Sequence, residues 1–180
     1  MTEKNCIINK KQIKTMPNWC ETKYVIKGSK EDVSNLNSIF QKLITNETNK
    51  SGDFNKNWLG FVVNELNGDF KKINCRGWFE NVRFNGHTLK LTTYSAWSPC
   101  YALFNLIVQK YPTLQYYFIA KESGCGLYAT NDIEKKYFKF GKKCKVWDKE
   151  ILDELIRFDM LLKEKKVDIV INDKVKEEID

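Results

Sequence analysis

The dipeptide Asn85-Gly86, set between two runs of alternating character, constrains this chain more than any other feature. Asn-Gly between such runs is the strongest short-range hairpin signal, because both central residues of a type I′ turn need positive φ. The expectation is a pair of antiparallel strands in the middle of the chain, Gly77–Phe84 and Thr88–Tyr94.

The flanks extend this into a pattern. From Trp19 to Lys27 the chain alternates, with Cys20, Thr22, Tyr24 and Ile26 on one face and Trp19, Glu21, Lys23, Val25 and Lys27 on the other, which predicts a strand. Gly28 ends it. Ser29, with Asp32 three residues on, approximates a capping box, and Val33, Leu36, Ile39, Phe40 and Leu43 follow at helical spacing. Residues 45–57 read as a polar loop. Leu59, Val62, Val63 and Leu66 share one face of a short helix that Asn67-Gly68 would terminate. After the hairpin, Ser98 suits an N-cap and Pro99 a first helical position. Leu103, Phe104, Ile107 and Val108 supply that helix's core face, and Tyr111-Pro112 stops it. Leu114–Lys121 reads as the next strand, Gly124-Cys125-Gly126 as a turn, and Leu127–Thr130 as an added edge strand. The order strand, helix, strand, strand, helix, strand predicts an α+β fold, the ferredoxin-like βαββαβ antiparallel sheet with helices on one face.

The ends differ from this middle. Residues 1–15 are polar, carry four Lys and one Glu, and read as a flexible extension. The ferredoxin-like domain is expected over 16–132. Residues 133–180 read as a basic linker and a C-terminal helix. Within them, 135–147 interleave six lysines with four aromatics. Asp148 is expected to cap the helix and Trp147 to staple onto Leu152. Ile151, Leu155, Phe158 and Leu162 are expected to line its apolar face. Val167–Ile171 reads as a further strand.

Composition bounds the function. The net charge of +7 invites a polyanion partner, yet 27 lysines stand beside three arginines and 17 asparagines, a skew that a low-GC coding sequence also produces. No apolar run approaches the ~18–20 residues that span a bilayer. The N-terminus lacks the apolar core of a signal peptide, so the expectation is a cytoplasmic protein with no membrane partner. Six widely spaced cysteines, without a CxxC and with one histidine, read as reduced thiols rather than disulfides or a metal site. No motif implies a cofactor.

Met16-Pro17-Asn18-Trp19-Cys20, Trp58-Leu59-Gly60, Cys75-Arg76-Gly77, Ala96-Trp97-Ser98-Pro99 and Gly124-Cys125-Gly126 together resemble a ferredoxin-like (YubB-like) domain family over about residues 16–132. Its members are small proteins carried by plasmids, phages and integrated elements. The resemblance implies the fold and a mobile-element origin. It implies no reaction and no catalytic residues. The first 15 residues and those after Asp132 depart from the family pattern.

The candidate residues each carry two readings. Trp97, between a strand and a helix, plugs the end of the sandwich or offers a stacking surface. Trp19 packs under a loop or joins Trp97 in one aromatic patch. Arg76, an arginine in a lysine-rich chain and next to Gly77 and Trp78, clamps a phosphate or carboxylate or pairs with an internal acid. In the basic segment, Lys135, Lys136, Lys139, Lys142, Lys143 and Lys145 would neutralise phosphates while Tyr137 and its aromatic neighbours stack. The alternative there is a core-packing strand with solvated lysines. The run 88–94 lacks the aromatic pattern of RNA-reading sheets, which disfavours that mode.

Three functions follow. The first is a non-enzymatic binding protein of a mobile element, of anti-defence (anti-CRISPR) type, acting on a host or element protein or nucleoprotein complex. The second is a direct nucleic-acid or nucleotide binder. The third, with least support, is a small nuclease using His87 or a cysteine.

Overall fold

The structure is a computed structural model that describes residues 17–45 and 57–164. The expectations for residues 1–15, most of the 45–57 loop and Val167–Ile171 fall outside the described residues. In chain order the elements are β1 (Trp19–Lys27), α1 (Lys30–Thr45), α2 (Leu59–Glu65), β2 (Gly77–Phe84), β3 (Thr88–Ala96), α3 (Tyr101–Lys110), β4 (Gln115–Glu122), β5 (Leu127–Thr130), β6 (Lys145–Val146) and α4 (Lys149–Glu164). The strands form one mixed sheet in the order β2-β3-β1-β4-β5-β6. All pairings are antiparallel except β5 with β6. The architecture is therefore α+β, with a six-stranded sheet, four helices and a helix at the C-terminal end of the described chain.

The alternation read in β1 decides which face is covered. Cys20, Thr22, Tyr24 and Ile26 are buried. Tyr24 stacks on Phe104 of α3, and Phe79 of β2 meets Phe40 of α1 edge-on at 4.9 Å. Helices thus pack on this side. Ser29 caps α1 through its hydroxyl, which accepts the Asp32 N–H at 3.1 Å. Asp32 does not reach back to its cap; it accepts the Thr113 hydroxyl at 2.6 Å and ties the helix start to the entry of β4. Asp148 caps α4 as expected, accepting the Ile151 N–H at 3.0 Å.

Four local expectations are corrected. In the hairpin loop only Gly86 has positive φ, so the turn is not type I′. Asn85 turns the chain with its side chain instead, accepting the His87 and Thr88 N–H groups. α3 begins at Tyr101 with Cys100 at the N-cap position, not Ser98. The Ser98 carbonyl is taken by the Ser95 hydroxyl at 2.7 Å, and Trp97 sits in the left-handed region at φ 70°. The chain therefore cannot enter a helix at Ser98. α4 presents Leu152, Leu155, Ile156 and Asp159 inward, while Ile151 and Phe158, expected in its core face, are exposed. Leu162 lies where no side chain is described. Finally, 135–147 is no continuous strand, since only Lys145–Val146 pairs with the sheet.

No helix among the described residues is long and apolar enough to cross a membrane.

Candidate functional site

No helix among the described residues packs on the other face of the sheet, and the register brings its residues together. Cα partners in antiparallel strands share a face. Trp78 opposes Tyr94, Tyr94 opposes Glu21, and Glu21 opposes Lys121. Trp78 stacks on Tyr94 with centroids 5.2 Å apart, and Trp19 meets Trp78 edge-on at 4.7 Å. Three aromatics from three strands thus form one surface cluster, with Trp19 43% exposed at its rim. Gly77 seats it: a Cβ there would lie 2.1 Å from the Tyr94 carbonyl oxygen, so only glycine lets β2 approach β3 this closely.

Arg76 extends the same end of the sheet. Its carbonyl accepts the Ala96 N–H at 2.9 Å, and its exposed side chain makes no ion pair with any described residue. The internal-acid reading of Arg76 thus has no support among the described residues. Two carboxylates border the aromatics. Glu80 accepts the Trp78 indole N–H at 2.8 Å, and Glu21 pairs with Lys23 at 3.3 Å. Burial first, then Glu21 and Glu80, raise the Tyr94 phenol above its ordinary value. It stays neutral at physiological pH.

Beside the aromatics and farther along the face lie Lys121, Lys23, Lys27, Arg83 and Lys90, five cations against the two acids Glu21 and Glu80. A second aromatic pair, Tyr117 and Tyr137, closes this region with centroids 4.5 Å apart. Tyr117 is in register with Val25, four residues from Glu21 in the Trp78–Tyr94 row, so the two aromatic groups are separated by roughly 13 Å along the strands. The Lys27 and Lys136 ammonium groups lie 5.6 and 5.7 Å from the Tyr137 ring centre.

Sequence reasoning missed the residue that places Tyr137. Asp132 is buried, and its carboxylate accepts the N–H groups of Lys136, Tyr137 and Phe138 at 3.0, 2.7 and 2.8 Å. One side chain thereby folds the start of the basic segment against β4. Asp followed by a Lys- and aromatic-rich run was the available signal. Lys135, Lys136, Lys139, Lys142, Lys143 and Lys145 are all exposed, and the Lys135 ammonium lies 5.0 Å from the Phe140 ring centre. Tyr94 was missed as well, because its role appears only once β2 and β1 are registered on either side of β3.

Trp97 does not join this cluster through any ring contact found among the described residues. It lines a separate cleft beside α4. The lining of that cleft does not include Trp19.

Four described thiols are shifted away from the nucleophilic thiolate form. Burial pushes Cys20 up to about 11 and Cys100 higher still. The Glu122 carboxylate, more than burial, raises exposed Cys125, and burial raises Cys144. His87 sits exposed in the hairpin loop, away from these thiols in the fold. No group of three or more metal-ligating side chains occurs among the described residues. No family model, curated protein or solved structure matches the chain.

Proposed function

We propose that this chain is a non-enzymatic binding module that docks on a host or element macromolecule through the open face of its sheet. The observation that carries this reading is the Trp19–Trp78–Tyr94 cluster on a sheet face that no helix among the described residues covers. Tryptophan, tyrosine and arginine are the residues that dominate binding energy at macromolecular interfaces, and Arg76 stands at the same end of the sheet. The raised thiols argue against the cysteine form of a nuclease.

The order β2-β3-β1-β4, all antiparallel, supports a ferredoxin-like core that β5 and β6 extend. The mobile-element origin and the anti-CRISPR type of activity rest on the YubB-like resemblance alone. Pull-down from the native host before and after nuclease treatment tests the reading. A stoichiometric protein that survives nuclease, and whose recovery falls about tenfold or more with Trp19→Ala plus Tyr94→Ala, supports it. Recovery unchanged in that double variant moves the interface off this face.

A second reading, direct binding of single-stranded nucleic acid, is favoured by the five face cations and the Tyr117–Tyr137 pair. It requires affinity for labelled oligothymidylate to fall linearly with log salt, with a slope of about −0.7 per phosphate contact. Salt-independent binding would exclude it.

A further inference from the structure

A cleft of about 450 Å³ opens between α4 and the turns that follow β3 and β4. Trp97, Tyr101, Leu127, Trp147 and Leu155 give it largely apolar walls. A cleft of this size and lining takes an aromatic group readily. Trp97 is held there by its backbone. Its φ of 70° lies in the left-handed region, where a bulky side chain is strained. Its own N–H donates to the Asn18 carbonyl, and the Ser98 N–H donates to the Ala96 carbonyl, each at 2.9 Å. The flanking bonds lock the strained residue, yet its indole is 45% exposed. The fold therefore keeps at the cleft a large ring that its own packing does not use.

A knob stands beside this hole. Phe158 of α4 borders the same cleft and is 60% exposed. Ile151, seven residues before it, and Leu161, three after it, are exposed as well, so helical spacing sets the three in one apolar stripe. Hole and knob thus share one surface. That is the requirement of an isologous contact, in which the same patch serves both partners. Charge points the same way. Lys145 lines the cleft, is exposed, and forms no ion pair with a described residue. Glu154 precedes Phe158 by four residues, about one turn along the same side of α4. It too is exposed and forms no ion pair with a described residue.

We propose that this surface is a homodimer interface in which Phe158 of each copy fills the cleft of the other. A Phe158 ring entering the second copy's cleft carries Glu154 toward the Lys145 of that copy, and the two-fold axis repeats the pair. Aromatic anchors seated in a pocket supply the binding energy of such contacts, and opposed charges at the rim set their register. Trp19, Trp78 and Tyr94 are not part of the cleft lining, so the dimer does not depend on how the sheet face is used.

The test is sedimentation equilibrium of the full chain between about 1 and 100 μM, where the mass is expected to pass from monomer to dimer. Phe158→Asp removes the knob at an exposed position and should weaken dimerisation by about tenfold or more. Lys145→Glu and Glu154→Lys should each weaken it, and the two together should restore most of the loss. In parallel, the alkylation rate of Cys125, an exposed thiol lining the cleft, is read by peptide mass spectrometry. Alkylation should slow as the dimer forms and lose its dependence on concentration in Phe158→Asp. Trp19→Ala, on the sheet face, should leave the dimer intact. A chain that stays monomeric across the range overturns the proposal. If Cys125 is protected in that monomer, a segment of the same chain or a small molecule fills the cleft instead. A dimer that survives Phe158→Asp, or one lost in Trp19→Ala, places the interface elsewhere and overturns it as well. Should Phe158→Asp fail to fold, the charge exchange decides: no rescue in the double variant overturns the paired arrangement.

Discussion

On the covered face of β1, Tyr24 stacks on Phe104 with centroids 3.7 Å apart, and both rings are at most 2% exposed. On the opposite face of the same strand, Trp19 packs on Trp78 at 4.7 Å and remains 43% exposed. The two pairs are built from the same chemistry under the same two-residue alternation, and among the described residues only one of them has a layer of helices above it. Ring contacts in the core are a condition of folding. Ring contacts on the outer face leave apolar area exposed, and a surface with lysines at hand has no folding reason to hold them. The difference separates residues kept for stability from residues available for binding.

The largest expected effect tests that separation. Phe104→Ala removes a fully buried ring and should cost about 3–5 kcal/mol, lowering Tm by roughly 10 °C. Trp19→Ala should cost about 1 kcal/mol or less while removing partner binding. Thermal unfolding of both variants decides. Equal losses of Tm would make the outer cluster part of the core and dissolve the contrast. The next effect concerns the edge of the open face. Asp132→Ala leaves three N–H groups without their acceptor and should cost about 2–3 kcal/mol. Hydrogen exchange should then accelerate at Lys136, Tyr137 and Phe138 before it does in β1. Uniform acceleration across the sheet would show that Asp132 supports the whole fold instead of this segment.

A smaller effect lies at the β4–β5 turn, where Glu122 accepts the Cys125 and Gly124 N–H groups at 2.5 Å each. The Cys125 N–H, then the Gly124 N–H against the opposing effect of burial, hold this carboxyl below its ordinary value of 4.5. The unfolded chain, with the ordinary value, takes up a proton first as pH falls. The stabilisation is therefore complete above 4.5 and is lost as pH drops through the lower folded-state value. Glu122→Gln should flatten the dependence of the urea midpoint on pH below 4.5, and an unchanged acid limb would remove Glu122 from this role.

The same contrast explains what the sequence made legible. Strands and helix starts governed by local chemistry were readable: the β1 alternation, the Ser29 and Asp148 caps, the hairpin position. Features set by a second element were not. α4 carries two apolar stripes, Leu152–Leu155–Ile156 and Ile151–Phe158, and periodicity cannot say which meets α3. Ser98 has the chemistry of a cap, but the Ser95 hydroxyl and the Trp97 backbone claim that turn. Trp19 and Trp78 are each visible as aromatics, whereas their meeting depends on the register of both strands against β3. The candidate face was thus legible in its residues and illegible in its grouping.

The smallest effect sits at the centre of the covered face. The Tyr24 hydroxyl is buried and has no hydrogen-bond partner among the described residues, and burial raises the phenol well above its ordinary value. An oxygen desolvated without compensation works against the stacking that its ring provides. Tyr24→Phe keeps the contact with Phe104 and removes the oxygen. Stability should stay level or rise by up to about 1 kcal/mol, read from the urea midpoint at constant slope. A loss comparable to a cavity variant would mean that the hydroxyl is bonded after all, and the covered face would then owe part of its specificity to polar contacts and not to aromatic packing alone.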